Sequence, residues 1–191
     1  GYKRPTENVT ISKCTVMGHA VGYLLFPPGS DEGWNAGRIK FGTESNGGFK
    51  NITITDCNFV YCRGFMLATV DGGDIDNIII DNIQMTELWC APIFMRLGDR
   101  ARGPGPPPPG TYRNVNISNI IARNASKTGC SIVGEVDHPI KNISISNVRI
   151  NYTGGGTLAE GLVVKPELVN EYPECVRLGI LPAYGFFVRH V

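Results

Sequence analysis

The chain has 191 residues, of which 42% are hydrophobic and 18% are charged, and its formal net charge is +1. This composition is typical of a globular chain with its own core and excludes a disordered tail. Charges of both signs are spread along the sequence without a dense basic stripe, so no nucleic-acid partner is predicted. No apolar run approaches the roughly 18 residues that a membrane span requires, so none is predicted.

One short phrase recurs five times along the chain. It consists of an asparagine followed by apolar residues at alternate positions, a pattern typical of a strand with one buried face. The asparagine fits a stacked turn position, where its amide bonds the neighbouring repeat and where left-handed backbone is tolerated. The five copies begin at Asn8, Asn51, Asn77, Asn114 and Asn142.

The spacing of these copies indicates one strand-rich repeat per turn of a solenoid. Successive copies are 43, 26, 37 and 28 residues apart, and insertions at 22–36 and about 98–112 account for the two long gaps. Stacked repeats bury a continuous apolar core that no repeat buries alone. The sequence therefore predicts an all-β fold, a single-stranded parallel β-helix over residues 1–191. We expect this single domain to be partial, since both ends resemble interior repeats.

The six cysteines include no C-x-x-C pair, so a zinc site is not predicted. Disulfides remain open, and buried thiols are the favoured interpretation. Cys14 and Cys57 hold the same repeat position and are expected to be neighbours inside the core. Six N-x-S/T sequences occur, and the turn interpretation is favoured over glycosylation for them because most lie within the repeat phrase.

A second short strand follows each repeat phrase, and its alternation separates inward from outward residues. The outward cations and aromatic rings of stacked strands form one surface, which suits a chain of acidic sugars because Arg and Lys bind carboxylates. A solvated sheet face is the alternative. In the first insertion, Trp34 is a candidate for stacking on a sugar. The outward cations and aromatic rings of this surface are Arg38, Lys40, Phe94, Arg96, Phe187 and Arg189.

Three segments resemble bacterial proteins of the polygalacturonase-like glycoside hydrolase family 28: residues 38–57, 92–98 and 181–190. The resemblance implies a right-handed, pectin lyase-like β-helix that hydrolyses galacturonan-type or rhamnogalacturonan-type chains with inversion. It also implies a pectin-type cell-wall polysaccharide as partner, an extracellular or periplasmic location, and no metal or cofactor. In such enzymes one carboxylic acid protonates the leaving oxygen and another carboxylate activates water.

The family's motifs are matched only in part. Its N-T-D and D-D acid motifs do not occur, so the acid pair is expected upstream of Gly1 and the 191 residues alone are expected to be inactive. Gly18-His19 matches two residues of the G-H-G motif, which implies that His19 lies beside those acids and tunes them; a turn histidine bonded to the backbone is the alternative. Arg38-Ile39-Lys40 matches the R-I-K motif that grips a substrate carboxylate, with Arg96 as a further carboxylate ligand. An alternative alignment places that motif at 66–68, where the cations are lost.

Two other functions remain open on the same fold. A pectate lyase needs Ca²⁺ on clustered carboxylates and an Arg or Lys base. A non-catalytic glycan-binding solenoid needs neither. Glu44 and Asp71 follow the second strands in turns, where acids usually solvate the sheet edge, so neither is assigned a catalytic role.

Overall fold

The structure is a computed structural model that describes residues 3–18, 37–44, 46–103, 105–181 and 185–191. The described residues are mainly β-strand, with one short α-helix and one 3₁₀ helix, and none of their helices is long and apolar enough to cross a membrane. The strands are β1 (Thr6–Ser12), β2 (Thr15–Met17), β3 (Lys40–Phe41), β4 (Phe49–Val60), β5 (Phe65–Thr69), β6 (Ile75–Leu88), β7 (Ile93–Leu97), β8 (Tyr112–Ala125), β9 (Cys130–Val133), β10 (Lys141–Tyr152) and β11 (Phe186–Arg189).

The strands form two sheets in which all the pairs are parallel. The first sheet has the order β1-β4-β6-β8-β10, with β2 also paired to β4, and the second has the order β11-β9-β7-β5-β3. From β4 onward the chain alternates between the sheets, so each pair of one long and one short strand lies beside the next pair. The prediction of a mostly β chain with parallel strands is therefore confirmed.

The main core lies between the inner faces of the two sheets. Ile54, Ile80 and Ile117 are aligned across three first-sheet strands and are fully buried. Phe65 and Leu67 of the second sheet face the same core. Each apolar side chain thus stacks on an equivalent residue of the next repeat, which is the ladder that the repeat phrase predicts.

Each long first-sheet strand is bent by residues in the left-handed backbone region, which we call corner residues. In β4, Ile52, Ile54, Cys57 and Phe59 all point inward, although strict alternation from Ile54 would place Asp56 inside. The left-handed conformation at Asp56 resets the alternation and turns the strand. The corner residues, with φ from 50° to 58°, are Asn8, Lys13, Asn51, Asp56, Tyr61, Asn77, Asn82, Glu87, Asn114, Asn119, Asn124, Asn142 and Asn147.

Asparagine is frequent at the corners because it tolerates this backbone and bonds its neighbours. The Nδ2 of Asn51 donates to Oδ1 of Asn8 at 3.0 Å, and Nδ2 of Asn77 donates to Oδ1 of Asn51 at 2.9 Å. Asn114 does not continue this series of hydrogen bonds between asparagines; it donates to Asp76 instead, at 2.7 Å. The predicted role of the recurrent asparagine is confirmed.

Two expectations need correction. Cys57 is buried in the core, whereas Cys14, at the equivalent position, is exposed because no described strand covers the outer side of its repeat. In addition, Cys130 of β9 pairs with Phe186 of β11, 56 residues further along the chain. A third insertion, which the repeat phrase did not reveal, therefore lies between β10 and β11. We call residues 153–181 the strap.

A corner asparagine should contribute more to stability than an asparagine in the middle of a strand. We expect Asn77→Ala to lower the free energy of unfolding in urea by about 1–2 kcal/mol, because alanine is disfavoured in the left-handed region. Asn77→Gly should recover part of this loss because glycine accepts the backbone. The matched control is Asn116→Ala, an exposed asparagine of the same repeat phrase outside the corners. Equal losses for Asn77→Ala and Asn116→Ala would contradict the corner role.

Candidate functional site

The outer face of the second sheet contains five of the seven residues assigned to the site from sequence. Alternation along its strands points four of them away from the main core, and Arg38 lies two residues before the start of β3. The structure thus brings them onto one face, and their roles in substrate binding stay predictions. His19 and Trp34 lie outside the described residues. The five are Arg38, Lys40, Phe94, Arg96 and Arg189.

The strap lies over this face. It contains the helix α1 (Leu158–Gly161) and a 3₁₀ helix (Cys175–Leu178), and it is not a strand of either sheet. Its apolar residues and the outward apolar residues of the sheet form a second core. Phe94 is only 4% exposed for this reason, so its ring packs against protein in this structure. The buried members of this core are Met66, Ala68, Cys90, Ala91, Phe94, Val133, Cys175, Leu178 and Leu181.

A disulfide between Cys90 and Cys175 joins the strap to the turn that precedes β7. This corrects the favoured interpretation of all six cysteines as buried thiols, which holds for Cys57, Cys62 and Cys130. Burial raises the pKa of Cys62 to about 12 and that of Cys130 to about 11. These two thiols are therefore protonated and act as small apolar groups at neutral pH.

Next to the disulfide, Glu174 of the strap is held by two arginines of the sheet region. Nη1 of Arg38 donates to Oε1 and Oε2 of Glu174 at 2.9 and 2.8 Å. Nη1 of Arg63 lies 2.9 Å from Oε2, and its guanidinium also lies 4.2 Å from the ring centroid of Trp89. The Glu174 side chain is 5% exposed, so this is a carboxylate site that excludes most solvent.

The other two site arginines bind main-chain carbonyl groups of the strap. Nη2 of Arg96 donates to the Glu167 carbonyl oxygen at 2.8 Å. Arg189 donates to the carbonyl oxygens of Lys165 and Pro166 at 2.9 and 2.8 Å. Burial lowers the pKa of Arg96. In this structure these guanidinium groups hold the strap in place.

The edge of the strap carries a more accessible group of side chains, which we call the Tyr172 patch: Lys40, Glu44, Arg100, Arg102 and Tyr172. Tyr172 is 37% exposed, and its hydroxyl accepts a hydrogen bond from Lys40. The Lys40 ammonium lies 4.8 Å and the Arg100 guanidinium 5.7 Å from the ring centroid. The Arg102 side chain is 66% exposed and lies 3.7 Å from Glu44. An aromatic face with adjacent cations suits an acidic sugar.

The second insertion is fixed beneath this patch by a buried ion pair. Asp71 is 1% exposed and accepts from Nε of Arg100 at 3.1 Å, from Nη2 of the same guanidinium, and from the main-chain N–H of Arg102 at 2.9 Å. The expectation that Asp71 solvates the sheet edge was therefore wrong. Glu44 is exposed as expected and also accepts from Arg100, at 3.0 Å.

Removing the buried partner of Arg100 should be far more costly than removing the exposed one. We expect Asp71→Asn to lower the free energy of unfolding by about 3–5 kcal/mol, because a buried guanidinium loses its partner. Glu44→Gln, which removes a carboxylate from the same guanidinium, should change it by less than about 1 kcal/mol. Urea unfolding of both variants measures the difference. A small loss in Asp71→Asn would show that the pair is not needed to hold the insertion.

A further buried acid follows β9. Glu135 is 8% exposed, and its Oε1 has no hydrogen-bond partner. Burial raises the pKa of Glu135, and the carboxylate of Asp99 raises it further, against the opposing effects of Arg96 and His138. The folded chain therefore favours the protonated form of this acid more strongly than the unfolded chain does.

This shift predicts a stability effect that depends on pH. Between the unfolded pKa of about 4.3 and the higher folded pKa of Glu135, the folded state binds more protons, so wild-type stability falls as pH rises. Glu135→Gln removes this loss. Relative to wild type, its free energy of unfolding should increase from pH 4 to pH 7. The hydrogen bond from Thr43 lowers the pKa of Glu44, so Glu44→Gln should shift in the opposite direction. Parallel behaviour of the two variants would contradict the assignment.

The described residues also bring together three potential metal ligands, Cys90, Glu174 and Cys175. The two sulfurs are joined as a disulfide, and the carboxylate accepts from Arg38, so these atoms already have partners. The structure thus assigns this cluster to holding the strap.

Sequence reasoning missed Glu174 and Tyr172 because the strap matches no part of the repeat phrase, and it missed Arg63 because this residue lies in the turn between β4 and β5. The available signal was the long interval between the second strands at Cys130 and Phe186. Comparisons with protein-family models, curated proteins and solved structures found no match to this chain.

Proposed function

We propose that this chain is part of a right-handed parallel β-helix of the polygalacturonase-like type, which acts on a pectin-type acidic polysaccharide. The regular stacking of strand pairs, the asparagine corners and the apolar ladders support the β-helix. The resemblance of residues 38–57 to family 28 glycoside hydrolases supports the substrate class and the inverting hydrolysis.

One observation carries the proposed substrate class. Lys40, from the Arg38-Ile39-Lys40 sequence, contacts the partly exposed ring of Tyr172, and Arg102 extends from the same surface into solvent. The ring offers a flat face to the C–H groups of a sugar, while Lys40 and Arg102 offer positive charge to its carboxylate. Neutral polysaccharide would gain only the first of these contacts.

Two carboxylates at this surface, those of Asp71 and Glu44, are already engaged by an arginine. Inverting hydrolysis needs one carboxylic acid and one carboxylate about 6.5–9.5 Å apart. Asp71 and Glu44 both accept from Arg100. The proposal therefore assigns substrate binding to the Tyr172 patch and assigns neither of these acids to catalysis.

The same pairing favours a second candidate, a non-catalytic glycan-binding role on the same fold. Because the 191 residues alone are expected to be inactive, the two candidates are separated in a longer chain that includes the expected upstream acid pair. Release of reducing ends from polygalacturonate by that chain indicates hydrolysis, and ultraviolet absorbance of an unsaturated product identifies a lyase. The Cys90–Cys175 disulfide supports the proposed extracellular or periplasmic location, since disulfides persist in oxidising compartments.

Binding to the Tyr172 patch should require both charge and the aromatic ring. We expect the chain to bind polygalacturonate and not neutral galactan in affinity electrophoresis, with weaker binding at high salt. Lys40→Ala should weaken binding about tenfold, since a charge-assisted hydrogen bond is worth about 1.5–3 kcal/mol. Tyr172→Ala should weaken it similarly.

Lys50→Ala is the matched control, because Lys50 is an exposed lysine of the first sheet. Its binding should equal that of wild type. Equal weakening by Lys40→Ala and Lys50→Ala would indicate a general charge effect and contradict a site at Tyr172.

A further inference from the structure

The Arg38–Arg63 pair has the composition of a binding site for a carboxylate ligand, and a carboxylate of the same chain occupies it. Glu174 accepts from both arginines at 2.8–2.9 Å with its side chain 5% exposed. Guanidinium groups bind carboxylates of any origin with this geometry. The contacts that Glu174 makes are therefore those that a uronic acid carboxylate would make at the same place.

This carboxylate site adjoins the Tyr172 patch. Arg38 and Lys40 are separated by one residue and extend from the same side of the chain, while Tyr172 and Glu174 are separated by one residue in the strap. A sugar chain at Tyr172 would thus have its next carboxylate close to Arg38. Glu174 already occupies the two arginines that this carboxylate would bind.

The part of the strap that carries Glu174 is anchored at its two ends. On one side, Leu168 packs in the second core and the Val169 carbonyl accepts from the Asp99 N–H at 2.8 Å. On the other side, Cys175 is held by the disulfide and Leu178 by the second core. The Glu174 carboxylate itself is held by Arg38 and Arg63, so its exchange for another carboxylate would leave these anchors in place.

A small pocket, partly open to solvent, lies beside the Glu174 side chain. It has a volume of about 20 Å³ and is lined by Phe94, Arg96, Leu168, Glu171, Tyr172, Pro173, Glu174, Arg177 and Leu178. Glu174 therefore borders space that opens to solvent, whereas Trp89, which packs on Arg63, does not line this pocket.

We propose that Glu174 is an autoinhibitory side chain that competes with the carboxylate of an acidic saccharide for Arg38 and Arg63, while Tyr172 stays in the patch. This inference rests on the proposed function and concerns the regulation of the same surface. Acidic saccharide at the Tyr172 patch displaces Glu174 and then extends onto the two arginines. The apparent affinity for the saccharide is the intrinsic affinity multiplied by the fraction of molecules in which Glu174 has left the two arginines.

The test compares Glu174→Gln with Glu171→Gln in titration calorimetry with a galacturonate oligosaccharide. Both changes remove one carboxylate from the same stretch of the strap, but the Glu171 side chain is exposed and does not bond the arginine pair. Glu174→Gln should bind about tenfold or more tightly than wild type, and Glu171→Gln within about twofold of it. Far-ultraviolet circular dichroism checks that both variants are folded.

Hydrogen exchange on the wild-type chain supplies a second measurement that needs no variant. The Cys175 amide donates to Oε1 of Glu174 at 3.3 Å. If the saccharide displaces Glu174, this amide should exchange faster, by about threefold or more, when ligand is added. Slower exchange of the Cys175 amide on adding ligand would overturn the inference, since it would show that Glu174 stays in place.

The outcomes separate this inference from the proposed function. Equal affinity of wild type and Glu174→Gln overturns the competition and leaves saccharide binding standing. Absence of binding by all three proteins overturns both proposals. Tighter binding by Glu174→Gln alone supports both.

Discussion

The left-handed corner residues are the constraint on which the rest of this structure depends. A β-strand directs alternate side chains to opposite faces, so a long strand alone could not keep one set of residues around a closed core. A corner residue turns the backbone and resets that alternation, as Asp56 does between Ile54 and Cys57. Because each repeat has its corners at the same places, the apolar residues of successive repeats align into ladders.

The same regularity gives the second sheet an outer face with apolar residues that need to be buried. Inward residues of the second sheet fill the main core, and the outward residues of its middle strands include Met66, Ala68 and Phe94, which are apolar. The strap covers them, and its main-chain carbonyls and Glu174 supply acceptors for Arg38, Arg96 and Arg189. Apolar burial and satisfied guanidinium groups therefore stabilise the strap together.

The sequence was sufficient to predict what repeats and insufficient to predict what does not. The repeat phrase, its asparagine and the inward or outward direction of residues such as Leu67 and Arg96 follow from local alternation. The spacing of five between corner residues, visible at Asn114, Asn119 and Asn124, was a further signal in the sequence. The partners of Arg38 and Asp71 lie 136 and 29 residues away in insertions, where no periodicity indicates which charges meet.

The balance of charge distinguishes the two carboxylate clusters of this face. At Asp71 and Glu44, two carboxylates meet Arg100, so an added anion would be repelled there unless Arg102 compensates. At Glu174, two guanidinium groups meet one carboxylate, which leaves a net positive charge where solvent is largely excluded. Since charges interact more strongly where water is excluded, this excess favours exchange of Glu174 for a ligand that carries more than one carboxylate. An acidic polysaccharide has that property, because neighbouring sugars can occupy Arg38 and Lys40 together, whereas Glu174 contacts Arg38 and Arg63 while Lys40 contacts Tyr172.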